Sequence, residues 1–568
     1  MKKINLKKIK INRELIITLL INVIIFVGTN LLFDVKYEQV DDFIMYNLYS
    51  GLDGTYNWHA VYMHPLLCVI LSTLFRIDYS INWHSIFLLS MQFICFTIIG
   101  YIYLRKNKNA ISVFIYAIFS SIFYAILLHL IQYTSVAALL IATSLFIIVH
   151  IIDEKDTSKK WKVILGVLYT LGIMLRMQSL MMVAPFFAIY GIYYFIKFKK
   201  DQISKNEFYK VIKLYAILVG ITIVVYVSNW IIYNSNETYR NYLQFHEDRV
   251  LLHDLSYTNY EENKEIFDEI GWNKNDHYLF YTFNFGDENV YNKENLQKII
   301  DYKKSKNEKY NLNLDIISVL RNYIEGMKSS YIFVTVLLFF TFIAILLNKK
   351  NKILNISLFI MTILMHLLFI VLNRSMIRVI LPEYIIGISL IMYNLSWSNI
   401  KIKKETSIVI CMCIITLLIY CTGSRYNFGY NVKNYSNYRN LIDYTNSNKQ
   451  NVYLYTVPSL QYRYWAYSVY KMPPKSAFSN LRVIGGWDMY TQNYYDFKQR
   501  YNLDGTFLDL LKENVYLIDG DVVWSGRLYT DYIKNITQFI KYHYGIETEY
   551  EKVETFNNLY VYKIKQIY

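Results

Sequence analysis

KVILGVLYTLGIMLRMQSLMMVAPFFAIYGIYYFI, residues 162–196, is too long an apolar run for a single membrane-crossing helix and is interrupted at its centre by Arg176, Met177 and Gln178. About 20 residues of helix cross ~30 Å of hydrocarbon. The run therefore reads as two spans joined by a tight turn. Other apolar stretches lie near 14–33, 83–104, 110–128, 130–151, 211–232, 331–348, 353–372, 378–396 and 406–421. Together they predict a polytopic α-helical membrane protein with about eleven transmembrane helices.

Counting 162–196 as two spans settles the parity. The basic groups Lys2 to Arg13, Arg105 to Lys108, Lys155 to Lys162, Lys197 to Lys213, Lys349 to Lys352 and Lys401 to Lys404 then all fall on one side, which the positive-inside rule makes the cytoplasm. The apolar segment 59–77 is left out of the count, because as a span it would put every later basic group outside. It contains His64-Pro65 and Arg76, and reads as a helix lying in the outer interface or re-entering the membrane. The start has a basic region and an apolar stretch but no small-residue cleavage site, so it reads as a retained first span with a cytoplasmic amino terminus.

The same parity predicts a transmembrane module over 1–421 with outer loops 34–58 and 234–330, and an extracytoplasmic region 422–568. In the middle loop Asn292 to Lys304 is helix-like. The last region alternates strand-like runs (Val452 to Val457, Val515 to Asp519, Leu559 to Ile564) with helical ones (Thr506 to Glu513, Thr530 to Tyr544), predicting a small α/β domain.

Composition agrees with segregated apolar and polar regions: 54% of the residues are hydrophobic and 18% charged, with a net charge of +15. Because the basic residues sit in short groups between apolar stretches, they are topology signals, and nucleic acid is set aside as a partner. Heavy use of Ile, Asn, Lys and Tyr fits an AT-rich bacterial coding sequence. Cys68, Cys95, Cys411, Cys413 and Cys421 lie in or beside apolar stretches, leaving no disulfide framework for the polar regions. There is no Walker loop, dinucleotide turn, HExxH or Cys/His cluster. The loops assigned to the cytoplasm are too short for a nucleotide-sugar-binding domain, so a donor would come from the membrane or from outside.

Three features carry chemistry. The adjacent carboxylates Asp41 and Asp42 stand close after the first span. They suit either a helix cap in a solvated loop or a general base near a lipid-borne group. Arg176, Arg374 and Arg378 face the same side; they suit either interfacial snorkelling or bidentate grip on a phosphate. His59, His64 and Arg76 are candidates for the same pocket, with a structural role as the alternative for each histidine. Finally, Tyr490 to Tyr495 and Gln461 to Tyr470 are dense in aromatic and amide side chains, which suit sugar contacts, interfacial belts or the compositional bias alone.

The first span, the acidic pair Asp41-Asp42, an interfacial segment and a terminal outer domain together resemble the GT-C glycosyltransferases. Within that superfamily the stretch from Asp41-Asp42 through Ser50-Gly51, His64-Pro65 and Trp83 is similar to a bacterial multipass group. So is the stretch from Arg249 through Asp254 and Tyr260 to Gly271-Trp272, and Arg374, Arg378 and Pro382 look like the pattern of its later spans. The resemblance implies a polyprenyl-phosphate-linked sugar as donor, a glycan or lipid acceptor in the cell envelope, and a loop carboxylate as base. Asp-Asp stands where many relatives have Asp-Glu or Glu-Asp, so either Asp41 or Asp42 is the base, with the first favoured. A divalent cation such as Mg²⁺ is compatible with paired carboxylates and lipid phosphate. The rival readings are a surface-polysaccharide polymerase or ligase, a transporter or flippase, and a non-catalytic scaffold.

Overall fold

The computed structural model describes residues 12–396 and 435–567, except 39, 157, 307–311, 313, 330, 349, 461–465 and 525–526. The expected span 406–421, the basic groups Lys2 to Lys10 and Lys401 to Lys404, and the three later cysteines lie outside the described residues.

The chain opens with α1 (Arg13–Leu32), β1 (Lys36–Tyr37), α2 (Val40–Ser50) and α3 (Pro65–Ile77). Then come α4 (Trp83–Lys106), α5 (Ala110–His129), β2 (Leu130–Ile131), α6 (Tyr133–Asp153), α7 (Lys159–Leu175), α8 (Leu180–Lys199) and α9 (Lys205–Asn234). A group of shorter helices follows: α10 (Glu237–Arg249), α11 (Lys264–Glu269), α12 (Lys274–Tyr281), α13 (Lys293–Ser305) and α14 (Ile316–Lys328). The helical part ends with α15 (Ile332–Leu347), α16 (Lys352–Val371) and α17 (Ile377–Asn394).

Among the described residues, eight helices are long and apolar enough to cross a membrane, or nine if α14 and α15 form one span bent by 97°. This is a multi-pass membrane protein by helix length and hydropathy. The expected eleven differ from this at definite places. At 17 residues α7, and at 16 residues α15, fall short of full crossing length, and the last expected span is outside the description. With 13 residues, α3 rises only about 20 Å.

Apolar on every side, α6 is buried over its whole length, as expected of the central helix of a bundle. With no water to serve them, its hydroxyls bond back to its own backbone: Thr143 to the Leu139 carbonyl and Ser144 to that of Leu140. Buried Asn22 joins α1 to its neighbours, donating to Thr97 at 3.1 Å and accepting from Tyr116 and Ser120 at 2.9 and 3.0 Å. Such polar contacts hold helices together where the hydrophobic effect does not. At one end of the bundle the basic residues gather: Lys106 lies 3.4 Å over the Tyr393 ring, Lys155 pairs with Glu207 at 2.7 Å, and Lys210 donates to the Asp156 carbonyl.

At the other end β1 pairs in parallel with β2, and the C-terminal region docks there. Its strands β3 (Val452–Tyr455), β4 (Leu481–Val483), β5 (Val515–Gly520), β6 (Val522–Trp524), β7 (Arg527–Tyr529), β8 (Thr548–Phe556) and β9 (Leu559–Gln566) include a mixed five-stranded sheet of order β4-β3-β5-β9-β8. A helix, Tyr532–Tyr544, lies on it. The expected helix Asn292 to Lys304 corresponds to α13, and the three expected strands to β3, β5 and β9. Strand β8 is rich in Glu and exposed almost throughout, a charged edge that resists further pairing. The middle helices and this sheet share one core, in which Phe245, Trp272, Phe280 and Tyr291 lie with Val452, Leu517, Ile536 and Phe539.

Candidate functional site

The two aspartates open α2, where a helix N-terminus favours negative charge, but they have different surroundings. Asp42 is fully buried. Its Oδ1 hydrogen-bonds His84 Nε2 at 3.1 Å and accepts the Tyr133 backbone N–H at 3.0 Å, tying α2 to α4 and to the start of α6. His84 is fixed in turn by the Tyr49 hydroxyl at 2.5 Å. Burial first, and the neighbouring Asp41 charge second, push the Asp42 carboxyl well above the usual carboxylate range, against the pull of the Tyr133 N–H and the Arg378 and Arg176 charges. Its Oδ2 has no hydrogen-bond partner. Asp41 is half-buried, and among the described residues it has no ion pair or hydrogen bond.

Three arginines converge on this end of the bundle. Arg176, in the turn between α7 and α8, donates to the Tyr133 hydroxyl and to Thr134 at 2.8 Å, and lies 5.5 Å over the Tyr62 ring. Arg378, in the first turn of α17, pairs with Glu38 at 3.3 Å. A narrow slot of about 10 Å³ beside that pair is lined by Gln132, Ser135, Ile126, Leu127, Ile377 and Leu381. Arg374 lies 3.7 Å from Asp254, which also faces Arg249 at 3.8 Å and His253 at 3.0 Å. Burial would raise the Asp254 pKa, but the His253 hydrogen bond and the charges of Arg249, His253 and Arg374 hold it down at about 2. Asp254 sits on a π-helical turn, Val250–Leu255, continuing α10, a distortion common at functional sites.

The other predicted residues have different surroundings. His59 stacks between Trp58 and Tyr239 and bonds Asn57; burial lowers its pKa to about 4. His64 caps α3 through Leu66 and bonds Ser228. Arg76 lies 4.7 Å over the Tyr56 ring. The structure thus brings together the aspartates, Arg176 and Arg378, with Arg374 on Asp254, whereas His59, His64 and Arg76 serve loop and helix packing. Among the described residues no group of three or more His, Cys, Asp or Glu is arranged to hold a metal ion. Of the aromatic segments, Tyr490 hydrogen-bonds the Tyr291 carbonyl and Tyr494 hydrogen-bonds Glu288, both internal supports.

Comparison with protein-family models gives no match, and no curated protein is significantly similar to the chain.

Sequence reasoning missed Glu38, Tyr62, Tyr133, His246 and Trp487. Tyr62 stands at the centre, with ring distances of 6.3 Å to Tyr133, 5.6 Å to His246 and 5.1 Å to Trp487. The only signal for Tyr62 was its place beside His64-Pro65. A cavity of about 530 Å³ is lined by Asp34 and Lys36 before α2 and by Arg439, Asn440 and Tyr467 of the C-terminal region.

Proposed function

We propose that the chain is a GT-C-type inverting glycosyltransferase of the bacterial cytoplasmic membrane. It has a cytoplasmic amino terminus, eleven spans when α7, α15 and 406–421 are included, and an extracytoplasmic C-terminal domain. It transfers a sugar from a polyprenyl-phosphate donor to a cell-envelope acceptor at the outer face. The observation carrying this reading is the convergence of one half-exposed carboxylate, Asp41, with arginines from separate segments at the end opposite the basic residues.

In this reading Asp41 takes the proton of the acceptor hydroxyl as that oxygen bonds to the anomeric carbon. The bond from that carbon to the phosphate oxygen breaks, and polyprenyl phosphate leaves with the electron pair. Arg176, Arg374 and Arg378 stabilise the charge developing on the departing phosphate. Asp42, buried and already bonded, is a positioning residue that fixes α2 against α4 and α6.

Mass spectrometry of envelope glycans and lipid-linked sugars tests this. In cells lacking the gene, one defined sugar should disappear and its lipid-phosphate donor accumulate, with restoration by the wild type but not by Asp41→Asn. Unchanged glycans and donors in every strain would refute the enzyme reading.

A further inference from the structure

We propose that Trp487, Tyr62 and Arg249 form the subsite that receives the transferred sugar, so that the C-terminal region is part of the catalytic centre. This rests on the glycosyltransferase reading and adds to it where the sugar lies.

Two independent observations, each a buried donor without a partner, point to a missing polar ligand here. First, the Trp487 indole N–H is buried without a hydrogen-bond partner, with the residue only 8% exposed. Its loop is built to hold it there. Gly485 and Gly486 have φ of +144° and +83°, and a Cβ on Gly485 would overlap the Phe283 carbonyl oxygen. The Gly486 N–H bonds that same oxygen at 3.1 Å. Tyr242 donates to the Trp487 carbonyl at 2.7 Å, and buried Arg482 pairs with Asp488 at 2.9 Å.

Second, Arg249 is 2% exposed, yet its Nε and Nη1 have no hydrogen-bond partner. Asp254, at 3.8 Å, is too far for a hydrogen bond. A sugar hydroxyl bound beside this pair can accept from the guanidinium and donate to the carboxylate at once. Neighbouring His246, its pKa lowered to about 3 by burial and by the Arg249 charge, adds no competing cation. Asp254 and Arg374 are 25% and 32% exposed, which leaves the cluster open to solvent.

The backbone beside these two donors is strained where Tyr62 enters. Val61 has φ of +59°, an outlier for a β-branched residue. The Tyr62 N–H closes a three-residue turn onto the Ala60 carbonyl at 2.6 Å, and the Val61 N–H is held by the Tyr233 hydroxyl. Strain of this kind collects at ligand sites. Here it sets the Tyr62 ring between Arg176 and Trp487, beside the proposed phosphate grip. Ring faces pack on the C–H groups of a pyranose, while indole and guanidinium N–H groups bond its hydroxyls.

The test uses the full chain in nanodiscs and calorimetric binding of citronellyl phosphate and of citronellyl-phosphoryl glucose, galactose, mannose and N-acetylglucosamine. At least one sugar-bearing probe should bind more tightly than the bare phosphate. Trp487→Phe, which keeps a ring but loses the N–H, and Trp487→Ala should reduce that advantage by up to about tenfold, with citronellyl phosphate affinity unchanged. If no sugar adds affinity, or the advantage persists in both variants, the subsite is wrong while the phosphate site stands. If citronellyl phosphate itself does not bind, the glycosyltransferase reading falls and this inference with it.

Discussion

Asp41→Asn and Asp42→Ala should fail in opposite ways, and the structure sets the size of each effect. Asp41 is half-buried, with no hydrogen bond or ion pair among the described residues, so Asp41→Asn should leave the melting temperature of the purified protein nearly unchanged. As a general base it would contribute about 10²- to 10⁴-fold in rate, or roughly 3–5 kcal/mol of barrier. Transfer should therefore fall to trace levels. Removing the Asp42 carboxyl instead strands the Tyr133 N–H and His84 Nε2 in the interior. Each orphaned group costs about 1–3 kcal/mol, so Asp42→Ala should lose roughly 2–6 kcal/mol of stability. Asp42→Asn keeps an acceptor oxygen for the Tyr133 N–H and should cost less stability than Asp42→Ala. The assay pairs thermal melting in detergent with glycan mass spectrometry of cells at matched expression. A well-folded but inactive Asp42→Asn beside an active Asp41→Asn would refute the assignment.

Arg374→Ala and Arg378→Gln should each weaken citronellyl phosphate binding by about tenfold or more, as expected for a charge-assisted contact; unchanged calorimetric affinity removes that arginine from the pocket. Asp254, with its pKa lowered to about 2, should contribute roughly 2 kcal/mol of stability that is full above its unfolded pKa near 4 and is lost as pH falls toward 2. Asp254→Asn should flatten that acid limb in melts recorded between pH 2 and 5, and an unaltered limb would contradict the cause assigned. Gly485→Ala must move the loop away from Phe283, so it should lower the melting temperature and abolish the sugar-dependent part of binding; wild-type behaviour in both would show that the loop is not held as described.

What was legible in the sequence followed from repetition. Apolar runs such as those ending in Leu32 and Asn394 announce helices because hydropathy averages over a whole span, and β5 and β9 announce themselves through β-branched and aromatic residues. Span count was less legible because it depends on lengths near the minimum for crossing: α7 has 17 residues and α17 has 18. Strand β8 was missed because its Thr-Glu-Tyr-Glu pattern serves an exposed edge and carries little apolar signal.

The candidate site was legible where charge stands out against an apolar background, at Arg176, Arg374, Arg378 and the acidic pair. The division of labour within that pair was not, because adjacent residues at a helix start point about 100° apart, and only the position of α4 and α6 decides that Asp42 turns inward to His84 and Tyr133. The same holds for Trp487. Its neighbours Tyr62 and Tyr242 come from segments hundreds of residues earlier, and no local pattern marks one tryptophan among the chain's abundant aromatic residues. Its loop did carry a signal in the Gly485-Gly486 pair immediately before it: Gly485 lies where a Cβ would overlap the Phe283 backbone, and a bulky ring presented by such a turn is one that the fold holds in a fixed place.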